Sequence, residues 1–166
     1  MMATHVFDYL DRALDMAEQI GVLLVSCDHE GVPNVMTIGW LLLGRSFHGR
    51  PVAVVAVRPA TYTFGLLDLV EEFEIAVPSI DLADAVALCG KQSGRVVDKF
   101  AVTSLTPIPS KHVAPPSIKE CKINIECRIY NKQRPPHQLL TPEHRKAPVS
   151  KQHTIYFAEV LGVSTR

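Results

Sequence analysis

Val52-Ala-Val-Val-Ala-Val57, running directly into Arg58-Pro-Ala-Thr-Tyr-Thr63, is the stretch on which the reading of this chain turns. Six consecutive apolar residues, four of them valine, predict a strand buried on both faces and therefore central in a sheet. Pro59 ends it, because a residue without an N–H cannot continue the ladder. Residues 61–70 then read as a short helix. At that junction the free N–H groups of a helix start stand beside the hydroxyls of Thr61 and Thr63 and the guanidinium of Arg58, a set suited to a phosphate dianion. The plainer alternative is that Thr61 merely caps the helix and Arg58 pairs with a surface acid.

Outward from this strand the pattern is mostly β. Residues 1–21 read as a helix capped by Thr4, with an apolar face of Val6, Leu10, Ala13, Leu14, Ala17 and Ile20, and with Gly21 as its stop. Residues 22–27 and 33–43 form a predicted hairpin around the turn Asp28-His-Glu-Gly31. After the short helix come a strand over 73–77 closed by Pro78, and a helix capped by Asp81 that runs through Leu88 and breaks at Gly90. A turn at Ser93-Gly94 and a further helical turn over 96–100 follow. Two last strands, 122–130 and 154–163, flank a basic, Pro- and His-rich loop over 131–153, long enough to be functional or disordered. About six strands joined locally, with two or three short helices, favour an antiparallel barrel over a doubly wound sheet. The expectation is a single, mainly β domain over 1–166.

Composition narrows the classes further. The chain has 166 residues, 47% of them apolar and 20% charged, which is ordinary for one globular domain and not for a disordered chain. Lys+Arg 17 balances Asp+Glu 17, so no net field draws it to nucleic acid or to an acidic membrane. Its longest apolar run is 52–57, far short of the roughly 20 residues of a membrane-spanning helix. Lacking a basic n-region before an apolar core, the N-terminus predicts no secretory signal, and hence a cytoplasmic location. The charge is polarised: residues 1–83 hold 4 Arg and 11 acids, and 84–166 hold 13 bases and 6 acids, giving −7 and +7. Such halves can attract each other within a chain or between two copies. Cys27, Cys89, Cys121 and Cys127 show no Cys-x-x-Cys pair or zinc spacing and read as reduced, partly buried thiols.

Two further stretches carry candidate site residues. Cys89-Gly-Lys-Gln-Ser-Gly-Arg-Val-Val-Asp-Lys-Phe100 places two glycines where backbone amides can point into a site, with Lys91, Arg95 and Lys99 offering positive charge. It lacks P-loop spacing and the dinucleotide fingerprint, and on its own it reads more readily as a solvated loop with a helix cap. Pro33-Asn-Val-Met-Thr-Ile-Gly-Trp40 is an amphipathic strand that could offer main-chain donors to a flat partner, although a barrel core would produce much of the same pattern. Ser93 is not in a nucleophile elbow. His112, His137 and His144 fall in proline-rich loops and read as solvated, and no paired carboxylates stand out at helical spacing. Phosphate-type anchors without a nucleophile point to a bound cofactor that carries the chemistry.

Taken in order, Asn34-Val-Met-Thr-Ile-Gly-Trp40, Val57-Arg-Pro-Ala-Thr-Tyr-Thr63, Phe73 to Pro78, the 89–100 segment, Pro116-Ser-Ile-Lys-Glu-Cys121, Glu126-Cys127 and His153-Thr-Ile-Tyr-Phe-Ala-Glu-Val160 resemble the flavin reductase family of FMN-binding split-barrel proteins. The resemblance implies a six-stranded antiparallel Greek-key split β-barrel that forms a homodimer with FMN near the interface. By the same likeness Arg58, Thr61, Tyr62 and Thr63 would hold the ribityl phosphate, with Cys89, Gly90, Ser93, Gly94 and Lys99 near the phosphate or ring. Asn34, Val35, Met36 and Thr37 would run along the isoalloxazine, and Gly39 and Trp40 would finish that wall. It further implies hydride transfer from NAD(P)H to the flavin and onward passage to an electron acceptor that the sequence does not name. No side chain need act as acid or base, although His153 could titrate near the site. Ala158, Thr61 and the aromatic-poor 131–153 segment depart from the usual family pattern. A flavin carrier or sensor, a pyridoxamine-phosphate-oxidase-like enzyme and a cofactor-free interaction barrel are the rival expectations.

Overall fold

The computed structural model describes residues 6–46 and 48–166. Residues 33–43, expected as one strand, divide at Gly39-Trp40 into β2 (Pro33–Ile38) and β3 (Leu41–Arg45). The other long strands are β1 (Val22–Cys27), β4 (Pro51–Val57), β5 (Glu72–Val77), β8 (Ile123–Gln133) and β9 (Thr154–Thr165); β6 (Pro107–Ile108) and β7 (Ser117–Ile118) form a separate small ladder that the sequence did not signal. The main sheet therefore has seven strands in the order β2-β1-β5-β8-β9-β4-β3, each neighbouring pair antiparallel. The step from β4 to β5 skips the β8–β9 hairpin, a Greek-key path.

The divided strand dictates closure. Seven strands laid flat would separate β2 from β3 by about 29 Å. Only two residues join them, and three Cα–Cα steps span at most about 11 Å. The sheet must curl until its two ends meet. Among the described residues no ladder joins β2 to β3 or β4, so the barrel stays split along that seam.

Alternation along the strands sorts the interior into two cores. Val22 and Leu24 of β1, Phe73, Ile75 and Val77 of β5, Val55 and Val57 of β4, and Tyr156 and Ala158 of β9 fill the barrel. Leu23, Val25, Val35 and Ala76 point the other way, into a second core with Val86, Cys89, Leu105, Ile118 and Cys121. Strand β1 is thus buried on both sides, whereas β4, expected to be buried on both faces and central, lies next to the end strand β3 and leaves Val52 and Val54 only half-buried. All four cysteines are unpaired and fully buried. Among the described residues no helix is long and apolar enough to cross a membrane.

The helices follow the sequence with shifts that have local causes. A 3-10 turn, Val6–Tyr9, leads into α1 (Leu10–Gln19), which buries Ala13 and Met16, whereas Leu14, placed on the apolar face by periodicity, is 40% exposed. The expected cap Thr4 lies outside the described residues. Gly21 does end this helix: its φ is +91° and its N–H bonds Met16 O at 2.9 Å. Thr61 caps α2 (Tyr62–Leu69). Helix α3 (Ala83–Lys91) begins after a 3-10 turn at Ile80–Leu82, so Asp81 is not its cap, and it continues through Gly90. There the missing side chain allows close approach to β2, since a Cβ would sit 3.3 Å from Thr37 Cβ. Helix α4 (Lys99–Val102) starts later than the predicted 96–100 turn because Asp98 Oδ1 caps it, accepting from Phe100 and Ala101 N–H. Of residues 131–153, the first three extend β8. Arg134 follows, and Lys132 and Arg134 hold Asp68 of α2 at 3.1 and 2.6 Å. A turn of helix, α5 (Pro142–Arg145), lies further along.

Paired carboxylates do exist, but across strands rather than along a helix. Glu74 of β5 and Glu126 of β8 are register partners, both fully buried on the outer side of the sheet. Glu74 accepts from the Ser110 and Ser117 hydroxyls at 2.8 and 2.7 Å, and Glu126 accepts from the Lys111 and His112 N–H groups. Beside them Glu72 takes the Ala114 N–H, and Asn124 bonds both polar groups of Ile118. Between β6 and β7 the proline-rich 109–116 segment has no ladder of its own, and this row of side chains takes up its polar groups instead. Burial, and then the Glu126 charge, push Glu74 up to about 7 against the pull of its two serines.

Because that value lies above the ordinary 4.5, the folded protein binds the extra proton, and stability falls as pH rises from about 4.5 through 7. Glu74→Gln removes this dependence. Its melting temperature relative to wild type rises between pH 5 and 8, corresponding to as much as about 3 kcal/mol. A difference that stays constant across that range, followed by thermal melts, contradicts the assignment.

Candidate functional site

The seam between β2 and β4 opens into a cleft. Because β2 has a ladder partner on one side only, half of its backbone N–H and C=O groups are free to face this opening. Two connected hollows, of about 270 and 310 Å³, share Met36, Arg58, Thr61 and Gly90. The first is walled by Thr37, Gly39, Trp40, Ala56 and His153. The second is walled by Tyr62, Thr63, Cys89, Ser93, Gly94 and Lys99, with Lys91 and Arg95 adding charge. Asn34 borders the next hollow along, and only Val35 lines none of them. Its side chain packs in the second core, while its carbonyl accepts from Lys99.

At the cationic end the elements lock together through short polar contacts. Thr61 Oγ1 donates to Arg58 O (2.9 Å) and accepts from Phe64 N–H (3.3 Å), so the hydroxyl does serve as the helix cap. Ahead of that capped donor, the Tyr62 and Thr63 N–H groups have no intrahelical acceptor. The rival expectation for Arg58 fails: no acid pairs with its guanidinium among the described residues, and it lines both hollows. Asn34 Nδ2 donates to buried Thr63 Oγ1 at 3.0 Å, tying β2 to the helix start. Arg95 donates to Ala60 O (3.0 Å) and Thr61 O (3.4 Å), and its guanidinium lies 5.7 Å from the Tyr62 ring centroid.

Lys99 is the least expected member. Its side chain is buried, and its ammonium donates to Val35 O (2.8 Å) and Cys89 O (2.9 Å), joining the β2 edge to the end of α3. No carboxylate pairs with it among the described residues, and burial lowers its pKa. Burial likewise holds the Cys89 thiol above its ordinary range, the nearby Lys99 charge opposing it. At the other end, the Trp40 and His153 rings lie 5.5 Å apart. Burial, and then the Arg58 charge, push His153 down, so the imidazole stays neutral at pH 7. His137, expected in solvent, is half-buried with Nε2 2.6 Å from the His153 carbonyl; His112 and His144 are exposed.

The floor of the cleft demands a glycine. A Cβ on Gly94 would lie 2.0 Å from Asn34 Oδ1 and 2.7 Å from Tyr62 Cδ1. What results is a trough with backbone amides along one wall, a guanidinium and a helix start at one end, and an indole at the other. Among the described residues that line it, no serine, threonine or cysteine side chain is hydrogen-bonded to a histidine or a carboxylate.

A family model described as flavin reductase like domain matches residues 18–166. The chain belongs to that family. A flavin reductase-like protein of this kind is 36% identical over 132 residues to an uncharacterised protein of Archaeoglobus fulgidus, a match that covers 80% of this chain. The chain spans 65% of that curated relative's length. Flavoredoxin of Desulfovibrio vulgaris (Miyazaki F) superposes with a TM-score of 0.69 at 28% identity, covering 88% of this chain and 69% of that one. The FMN-binding protein of Thermus thermophilus, solved with bound 1-cyclohex-2-enone, gives 0.68 at 18% identity over 88% of this chain and 70% of that one, which is a likeness of fold. This flavin reductase-like chain is mainly β with short helices, as the family implies. Its seven-strand count differs from the expected six only through the break at Gly39-Trp40.

Gly94→Ala forces the floor away from Asn34 and Tyr62. The expected loss is about 1–3 kcal/mol, a melting-point drop of roughly 3–10 °C for a chain of this size. A calorimetric melting point unchanged within 1 °C would show that the contact is not the constraint described.

Proposed function

We propose that this trough binds FMN and that the protein is an NAD(P)H-dependent flavin oxidoreductase passing electrons to a second acceptor. The observation that carries the reading is the pairing of an acid-free guanidinium, Arg58, with the unsatisfied N–H groups that open α2, at one end of a cleft edged by a half-paired strand. That arrangement suits a phosphate monoester at one end and a flat, hydrogen-bonding ring system along the other. Gly94 supports the fit, because a Cβ there would clash with Asn34 and Tyr62 and displace the two side chains that border the cleft. The bound flavin supplies the hydride and electron chemistry, which agrees with the lack of an acid–base set.

The chain's own part is positioning and charge. Arg58 and the Tyr62 and Thr63 amides neutralise the phosphate. Lys99 holds the Val35 carbonyl in place, fixing the edge of β2 against which the ring lies, and its buried charge favours negative charge developing nearby. Trp40 and the neutral His153 close the ring end and limit water.

A homodimer completes the reading. The outer face of the β3–β4–β9 region carries a row of apolar side chains, Leu42 beside Val54 beside Phe157, with Leu42 56% exposed. That row neighbours Trp40 at the rim of the cleft, so a second copy seated there would border the ring end, and the opposed charges of the two halves favour such a pairing.

Anaerobic addition of NADH or NADPH to the FMN-loaded protein bleaches its visible band; a spectrum unmoved by both nicotinamides contradicts the oxidoreductase reading. Arg58→Ala weakens FMN binding by roughly 1.5–3 kcal/mol, about 10- to 150-fold. Unchanged titration by flavin fluorescence would remove the cradle. Light scattering gives twice the 18.3 kDa chain mass for wild type and a single chain for Leu42→Asp. Wild type that is monomeric while saturated with FMN defeats the dimer.

A further inference from the structure

The connection between β8 and β9 holds a piece of structure that the cleft does not use. It closes on itself: the His137 N–H donates to Gln152 Oε1 at 2.9 Å, and His137 Nε2 lies 2.6 Å from the His153 carbonyl oxygen. Between these ties the chain forms a protrusion with its own order. Helix α5, a 3-10 turn at Val149–Lys151, and bonds from Arg145 Nε to Leu139 O (2.8 Å) and from the Lys151 N–H to Pro148 O (2.9 Å) hold its shape. Yet every residue from Leu140 to Lys151 is exposed, Leu140 by 72% and Val149 by 50%. The segment is ordered by its own bonds and buries no side chain against the barrel, which leaves both apolar residues open to a partner. Charge has the same character. Residues 140–151 carry Arg145, Lys146 and Lys151 against the single acid Glu143. None of the three bases forms an ion pair among the described residues, whereas Lys132 and Arg134, at the foot of the protrusion, are held by Asp68.

We propose that this protrusion docks an acidic one-electron carrier protein, which collects its electrons at the ring end of the cleft. The inference rests on the flavin reading of that cleft and names the class of its second acceptor. Position supports it: the root of the protrusion is His153, whose ring lies 5.5 Å from Trp40, itself 48% exposed at the cleft rim. A carrier seated on 140–151 therefore stands beside the opening. Unpaired cations around a small apolar patch suit a brief encounter with a carboxylate-rimmed face. Charge steers the approach, and the small dry contact lets the carrier leave. A second copy of this chain is already accommodated on the β3–β4–β9 face. The electrons balance: NAD(P)H brings two, two carrier molecules leave with one each, and one proton passes to water.

Docking is read by NMR on the isotope-labelled full-length chain, to which a rubredoxin and a flavodoxin, both acidic, and a basic cytochrome c are added in turn. The acidic carriers move the backbone signals of 140–151, less so as salt is raised, and cytochrome c leaves them in place. Lys146→Glu combined with Lys151→Glu, which spares the Arg145 bond within the loop, weakens that binding about tenfold or more. The same variant slows NAD(P)H-driven reduction of both acidic carriers by the FMN-loaded protein, while reduction of a neutral quinone stays within about twofold. Signals unmoved by either acidic carrier, or binding untouched by the two substitutions, overturn the proposal and leave the flavin reading standing. A variant that turns from dimer to monomer with carrier binding unchanged also overturns it, giving the protrusion to a second copy. Carrier binding in a chain that takes up no flavin upholds the docking surface and overturns the flavin reading alone.

Discussion

Everything in this molecule depends on the short step between Ile38 and Leu41. A chain that must travel from one end of a seven-stranded sheet to the other in two residues forces the sheet into a barrel, yet β2 and β4 are never laced by a ladder. The consequence is a strand with one satisfied edge and one open edge, at the place where β4 gives way to α2. Polar backbone groups left inside a fold require partners. Lys99 supplies one, and the remainder define what a ligand must offer. The cleft is therefore a product of the closure and not an addition to it.

The same accounting of backbone polarity explains the opposite flank. The 106–118 loop is rich in proline, short of ladder partners, and laid over the outer face of β5 and β8. Glu72, Glu74, Glu126 and Asn124 are aimed at its N–H groups, hydroxyls and carbonyls. By fixing this loop they also fix Ile118 and Cys121, which complete the second core beneath α3. Helix α3 presents Cys89 and Gly90 to the cleft, so buried carboxylates on the same outer face of the sheet support the core that backs the site.

The strands, the barrel and most of the site were legible in the sequence because they rest on local signals. The run 52–57, the proline that stops it and the Thr61 cap each act within a few residues. The glycines of the 89–100 segment and the 34–40 strand could be placed beside them through resemblance. What escaped was non-local. The break at Gly39-Trp40 is decided by barrel closure, and the Glu74–Glu126 pair by a register between strands about fifty residues apart. The face that α1 turns to the core runs through Ala13, Met16 and Ala17, and Leu14 lies off it. Lys99 read as an anchor for a ligand, whereas two of its bonds go to backbone carbonyls, a role that charge alone does not reveal. Val35 belongs to the site through its carbonyl only, for strand alternation turns its side chain inward.

A guanidinium without an acid, beside open helix amides, implies a dianion, and a half-paired strand implies something flat with polar edges. Flavin mononucleotide offers both, and the family to which the chain belongs makes it the natural occupant. The phosphate group separates this account from one in which the cleft merely accommodates an aromatic ring. Parallel titrations of the apo-protein with FMN and riboflavin isolate it. The account predicts FMN binding about a hundredfold or more tighter, the worth of two charge-assisted contacts, with the advantage shrinking as salt is raised. Equal affinities for the two, at low salt, would contradict it.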